Sequence, residues 1–400
     1  MFRFAASSLP VTLRQMGLVA MACSVAALSA CGGGNRSKAY QPDRIVSFGD
    51  ENSLIEGYTS SALKNSDGTN TSPVPTLQGL VYTINTANVI SNAVCANLGT
   101  PFQLCPSNSV TSFTPVGTAD YVIFPDASST ILTVFEHDAG ATNQHVTETL
   151  YSCNTSSIWI QVIAHNFSKG YKDTQCPSDS LSGATTYASY KAKVDGVVAQ
   201  VAAHRGELGK GVLVTLMVGQ WDILELYNAV NVTHTTTQAS AEAELKNRAG
   251  TLANVVKDIL STGAKVVLAL TPDLGQSPKA LTGGNDQVLL AALTKVFNDT
   301  LYITNLGNQS GRDLAGVNPE PFTNPTIRST AYDYTTPACT ATGGPDGVAE
   351  ADADKQVKFC TTDTLVSTTT AYMWADNTHF APVGHSLIGS AGFNRASNQF

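Results

Sequence analysis

Charge is scarce in this 400-residue chain: Asp, Glu, Lys and Arg together make up 14% of it. Basic residues are the rarer sign, 23 Lys and Arg against 31 Asp and Glu, for a formal net charge of −8. A chain of this kind has no electrostatic footprint for nucleic acid, which excludes that partner. Metal-ligand patterns are missing as well. No C-x-x-C occurs and the seven histidines make no ligand spacing, so no metal site and no cofactor is expected. The uncharged apolar run Met16 to Ala30 is too short to cross a bilayer. What is present is a 42% apolar share, too high for disorder, with abundant Ser, Thr, Asn and Gly.

Arg3 and Arg14 ahead of the apolar run read as a secretory signal peptide over residues 1–30. Leu28-Ser29-Ala30-Cys31 resembles the lipobox of bacterial lipoproteins. The resemblance implies lipid modification of Cys31 and, with Gly32 next rather than Asp, an outer-membrane address in the cell envelope. Residues 31–42 then form a Gly-rich tether between lipid and body. Cleavage removes two positive charges and no negative ones, taking the formal net charge from −8 to −10. Six cysteines follow, an even number that reads as three disulfides in an exported chain. Pairing neighbours gives Cys95–Cys105, Cys153–Cys176 and Cys339–Cys360.

The body, residues 43–400, reads as a single α/β domain: a doubly wound parallel sheet flanked by helices, with long loop and β insertions at about 59–150 and 311–370. A first strand is expected at about 43–48, and buried parallel strands at Leu213–Val218 and Lys265–Leu270, which are nearly continuous apolar runs. Helical spacing is expected from Ile158 to Phe167, Thr185 to His204, 239 to 262, Gln287 to Leu301 and 382 to 390. In the second of these, Val194, Val197, Val198 and Val201 mark the buried face. The first insertion carries strand-like runs at Val81–Asn85, Tyr121–Phe124 and Ile131–Phe135. The second holds an acidic patch, Glu350, Asp352 and Asp354, read as a solvated loop because it lacks the turn glycine and terminal glutamate of a calcium loop.

Chemistry concentrates at element edges. Arg44 to Glu56 reads R-I-V-S-F-G-D-E-N-S-L-I-E, an apolar strand broken at Gly49-Asp50, where side chains face the crevice of an open sheet. Near the other end, Asp376 stands three residues before His379. A carboxylate so placed orients one imidazole nitrogen and leaves the other to face a nucleophile. Five other histidines, His137, His145, His165, His204 and His234, show no such arrangement and read as structural.

With Gly183-Ala184 and Val218-Gly219-Gln220-Trp221-Asp222 between them, these stretches resemble the blocks of the SGNH or GDSL family of ester hydrolases. The resemblance implies a Ser-His-Asp triad acting on carboxylic esters of lipid or acylated glycan, with His379 as general base, Asp376 as orienter, Gly183 donating a backbone N–H to the oxyanion, and Gly219 in the third block. Two signature positions depart from the pattern. Glu51 stands at the nucleophile position and Trp221 at that of an oxyanion asparagine, where one lost donor typically costs about 10² to 10³ in rate. If Glu51-Asn52 is an insertion, Ser53 recovers the nucleophile and Asn52 offers a carboxamide to the oxyanion. If Glu51 itself faces His379, it reads either as a general base that activates water on a substrate other than a simple ester, or as the mark of a catalytically inactive fold that binds a glycan, lipid or protein partner. The Ser53–His379 and Glu51–His379 distances discriminate between the two.

Overall fold

A computed structural model describes residues 40–59, 76–85, 156–171, 181–281, 287–309, 311–324, 331–339, 353–362 and 365–400. It gives the backbone alone at 57–59, 76–78, 114–116, 119–123, 134–138, 144–146 and 151–153. The signal peptide, Cys31, the tether up to residue 39 and the cysteines Cys95, Cys105 and Cys176 lie outside the described residues. Gln41–Phe400 forms one compact unit.

Its strands in chain order are β1 Arg44–Gly49, β2 Ile55–Thr59, β3 Thr76–Val81, β4 Thr114–Val116, β5 Ala119–Ile123, β6 Val134–Asp138, β7 Gln144–Val146, β8 Tyr151–Cys153, β9 Ala184–Thr186, β10 Val212–Met217, β11 Lys265–Ala269 and β12 Leu314–Val317. The longer helices are α1 Trp159–Asn166, α2 Val194–His204, α3 Gln220–Asn231, α4 Gln238–Ser261, α5 Gln287–Asn298 and α6 Pro382–Gln399. Five strands form a parallel sheet in the order β12-β11-β10-β1-β9. The chain leaves β1 to one side for β9 and returns to the other for β10. The order therefore reverses beside β1, and the crevice of such a sheet opens there, at the carboxyl ends of β1 and β10.

Alternate side chains face opposite sides of the sheet. Val46, Phe48, Val214, Leu216, Val266 and Leu268 pack with α2, α3, α4 and α5. On the other face, Ser47 Oγ lies 2.6 Å from both Tyr171 and Thr215 hydroxyls, a satisfied polar trio beneath α1 and α6. Both faces are covered, as the apolar runs of β10 and β11 require. The doubly wound parallel sheet expected from the sequence is the architecture observed.

Four local expectations need correction. Thr185 does not begin a helix: Ala184–Thr186 is the edge strand β9, its β-branched residues paired with Ile45–Ser47, and α2 starts only at Val194. Val197 and Val201 are buried as expected, but Val198 is 37% exposed. The run after Gly311 is not irregular throughout, because Leu314–Val317 is a core strand. Its Ala-Gly centre carries no β signal, and the Tyr302 ring fills the space a Cβ at Gly316 would take, 2.3 Å away. The last helix extends to Gln399 rather than 390. Gly384, Gly389 and Gly392 weaken its helical signal, and Gly389 and Gly392 let α6 lie close on α1; a Cβ at Gly389 would meet Val162 Cβ at 2.6 Å.

The first insertion is β-rich where described. β2, β3 and β8 form one small sheet and β4 to β7 another. In the second insertion, Cys339 and Cys360 are joined by a disulfide, as neighbour pairing expects.

Candidate active site

The site begins where β1 ends. Gly49 adopts φ +139°, and a Cβ there would lie 2.1 Å from Met217 O on β10, so only glycine lets the two strand ends converge. Asp50 then closes a single 3₁₀ turn, Glu51–Ser53: its Oδ1 accepts from Asn52 N at 3.1 Å and its carbonyl from Ser53 N at 2.9 Å. The turn decides which side chain looks into the crevice. It directs Glu51 toward His379 and Ser53 the other way.

Ser53 Oγ accepts from the Trp159 indole N–H at 3.1 Å, and its carbonyl accepts from Thr186 Oγ1 at 2.6 Å. Ser53 is fully buried against α1. The reading in which a two-residue insertion returns Ser53 to His379 is therefore corrected, because the 3₁₀ turn places the two side chains on opposite sides. Asn52 is not at the oxyanion either. Its amide donates to Asp50 Oδ1 at 3.0 Å and faces Gln220 Oε1 at 3.5 Å.

Glu51 Oε1 lies 2.9 Å from His379 Nε2, and His379 Nδ1 lies 2.7 Å from Asp376 Oδ2. Asp376 Oδ1 accepts from the backbone N–H of Thr378 and His379, which builds the loop that carries the histidine. Burial opposes a charge on Asp376, but the His379 charge and these hydrogen bonds outweigh it and hold the carboxyl below its usual range. Burial likewise opposes a charge on His379; Asp376 first and Glu51 second overcome it, so the imidazole stays protonated well above its ordinary range. Asp50 moves the opposite way: burial, then the Glu51 charge beside it, hold its carboxyl well above the carboxylate range.

Two more donors converge on Glu51. The Trp221 indole N–H reaches Oε1 at 2.5 Å from the first turn of α3, and the Lys191 backbone N–H reaches Oε2 at 2.8 Å. Trp221, at the position where the resemblance expects an asparagine, thus binds the glutamate. Lys191 was not foreseen. It adopts φ +53°, unusual for a residue with a Cβ, in the segment that follows β9 along the end of β1, where Ser189 N donates to Gly49 O.

Gly183 is elsewhere. Its carbonyl accepts from Ile45 N, which puts it level with the start of β1. At a rise of about 3.3 Å per residue that is roughly 17 Å from the Glu51 end. The expectation that it donates to an oxyanion is corrected by this register, which no local sequence pattern reveals. Gly219 is structural: at φ +126° it starts α3 under Phe297, whose ring would stand 2.4 Å from a Cβ.

Glu51 and His379 are both 0% exposed. Tyr82 covers the imidazole at 6.0 Å and stacks on Tyr190 at 5.3 Å. Thr83 Oγ1 ties this cover to Phe380 O, and the Asn85 amide ties it to Lys358 O. Above, Lys191 Nζ sits over the Trp221 ring and pairs with Asp354 at 2.7 Å at the solvated edge of this cover, where the aspartate side chain is 45% exposed. Glu350 and Asp352 lie outside the described residues. His204, read as lacking a carboxylate, pairs with Glu207 at 2.9 Å, and Glu207 also binds Tyr187 and Arg44. An open cleft of about 480 Å³ lies two strands away, at the carboxyl ends of β11 and β12, lined by Asp273, Asn298, Tyr302, Asn318, Glu320 and Arg395 among others.

The chain is similar to solved structures of lipolytic proteins. One is a member of the lipolytic G-D-S-L family from Veillonella parvula, 12% identical over 51% of this chain and 84% of that one, with a TM-score of 0.28. Another is the extracellular lipase of Streptomyces rimosus, 17% identical over 46% of this chain and 79% of that one, with a TM-score of 0.30. No protein-family model and no curated protein matches the chain. The likeness concerns fold alone, and TM-scores this low carry no weight for activity or substrate.

Proposed function

We propose that the chain is an SGNH-type fold that does not hydrolyse esters and serves instead as a binding module of the cell envelope. One observation carries this reading: Glu51 stands where the nucleophile would, and its carboxylate occupies the general-base nitrogen of His379 as well as the Lys191 and Trp221 donors. Ester cleavage needs a hydroxyl within about 2.6–3.2 Å of the base in a productive pose. Ser53 Oγ is instead bonded to Trp159. Attack by the Glu51 carboxylate itself would give an anhydride, a poor intermediate for a simple ester.

The ligand under this reading is an envelope glycan, held in the cleft at β11 and β12. Carboxylates at Asp273 and Glu320, amides at Asn298 and Asn318 and the guanidinium of Arg395 suit hydroxyl recognition, and the cleft is open where the Glu51 centre is covered. A lipid anchor at Cys31 would hold the module on the outer membrane.

The test is direct. The purified domain should neither turn over p-nitrophenyl esters nor be labelled by a fluorophosphonate. Turnover that disappears in both His379→Ala and Ser53→Ala would overturn the proposal. Glycan-array binding that Glu320→Ala/Arg395→Ala leaves unchanged would remove the cleft from it. Metabolic labelling with palmitate, lost in Cys31→Ala, checks the anchor.

A further inference from the structure

We infer that the space enclosed by Lys191, Trp221 and His379 is a small carboxylate-binding site, with Glu51 as its built-in ligand. The inference rests on the non-catalytic reading only in taking Glu51 as an occupant rather than a reacting group. Three N–H groups from three separate segments meet the two oxygens of one buried carboxylate at 2.5, 2.8 and 2.9 Å. That is the coordination a free carboxylate anion takes: one oxygen with two donors, the other with one, and a positive imidazole alongside.

None of the donors depends on Glu51 for its position. His379 is oriented by Asp376 through Nδ1 and held by its own backbone N–H on Asp376 Oδ1. Trp221 is fixed in the first turn of α3, with the Lys191 ammonium 4.4 Å from its ring centroid. The backbone at Lys191 is held by the turn that Ala192 N closes onto Ser189 O. The turn that carries Glu51 does not depend on that side chain either, since Asp50 closes it through Asn52 N and Ser53 N. Trimming Glu51 therefore leaves the donors in place around an empty space of known shape.

The shape names the ligand. Replacement by alanine removes Cγ, Cδ and two oxygens, but a free ligand must clear the remaining Cβ by a van der Waals contact of about 3.5–4 Å instead of a bond, which leaves room for formate. Replacement by glycine removes one carbon more and by the same argument admits acetate. The site is thus selective for short monocarboxylic acids, and in the native chain Glu51 excludes them by effective concentration, since a tethered ligand competes at millimolar levels or above.

The experiment is calorimetric and thermal titration of wild type, Glu51→Ala and Glu51→Gly with sodium formate, acetate, propionate and chloride. The expected result is saturable stabilisation of Glu51→Ala by formate and of Glu51→Gly by acetate. Each should bind on the order of tenfold tighter than in wild type. Adding Trp221→Phe to Glu51→Ala should weaken formate several-fold by removing one donor. Equal response to chloride and formate, or no size preference between the two variants, would overturn the inference. If Glu51→Ala does not fold unaided, the readout becomes refolding yield against formate concentration, and a yield that formate does not raise more than chloride overturns it equally. Ester turnover by wild type would refute the non-catalytic reading without touching this one.

Discussion

Glu51→Gln tests whether the glutamate pins the fold or serves a reaction. The side chain keeps its shape, so the change is confined to charge and hydrogen bonding. As a carboxylate, Glu51 only accepts, and all three of its neighbours are presented to it as donors. In the amide, one of the two positions becomes an NH₂. At Oε1 it would face the Trp221 indole N–H and the imidazolium; at Oε2 it would face the Lys191 N–H. Either orientation leaves at least one buried donor against another, which costs about 1–3 kcal/mol. The imidazolium also loses one of its two carboxylates in a fully buried setting, and breaking such a pair costs about 3–5 kcal/mol. One effect opposes this: Asp50 no longer feels a neighbouring negative charge. That relief is small, because burial is the larger cause holding Asp50 toward its neutral form. The two costs together, less that small relief, give an expected loss of about 4 kcal/mol or more, read as a lower urea midpoint with unchanged slope. At a working catalytic position, relief of functional strain often leaves such a variant neutral or stabilised. A Glu51→Gln protein as stable as wild type would refute the reasoning.

Three further outcomes follow from other parts of the centre. Burial, then the His379 charge, hold His385 down to about 3, so the folded state excludes a proton that the unfolded state binds near 6.5. Stability should fall as pH drops below 6.5, by up to about 4–5 kcal/mol near pH 3 at roughly 1.4 kcal/mol per unit. His379, raised in the fold, adds stability that is complete below 6.5 and lost as pH rises through its folded value; Asp376, lowered, adds stability that is lost as pH falls below about 4. A melting-temperature profile whose acid limb is no shallower in His385→Asn contradicts the His385 assignment. Ser53→Ala should cost about 1–2 kcal/mol by orphaning the buried Trp159 N–H, with no change in the ester assay. Cys339→Ala should cost about 3 kcal/mol, since the disulfide closes a separation of 21 residues, and wild type under reductant should match it.

The sheet was legible where burial on both faces writes itself as an apolar run, as in β10 and β11, and where a long amphipathic helix such as α4 buries one face. Elements were missed or misread where tertiary contact overrides propensity. Thr185 and Thr186 sit before a helix in sequence but are claimed by the edge of β1. Gly389 and Gly392 weaken α6 locally and are tolerated because α1 packs against them. The four-residue β12 is a strand only because β11 supplies its partner.

The site divides along the same line. Asp376 and His379 are three residues apart on a loop whose backbone folds onto the carboxylate, so their pairing is a local property and could be read from sequence. Glu51 and Ser53 are also local to one another, yet choosing between them needs the 3₁₀ turn that Asp50 closes, and both residues suit such a turn. Lys191 is non-local in every respect. Its contribution is a backbone N–H, which every residue but proline has, and its left-handed conformation falls on a side chain that carries no signal for it. What identifies it is the extension of the β1 edge beyond β9, where Tyr187 N bonds Ser47 O and Ser189 N bonds Gly49 O, bringing the next turn level with Glu51. Gly183 fails for the converse reason. It has a glycine's freedom, at φ +90°, but the same register puts it at the opposite end of the sheet. A donor to this centre must therefore lie at the carboxyl ends of β1, β9 and β10, whatever its residue type, and position along the strands outranks the glycine signature.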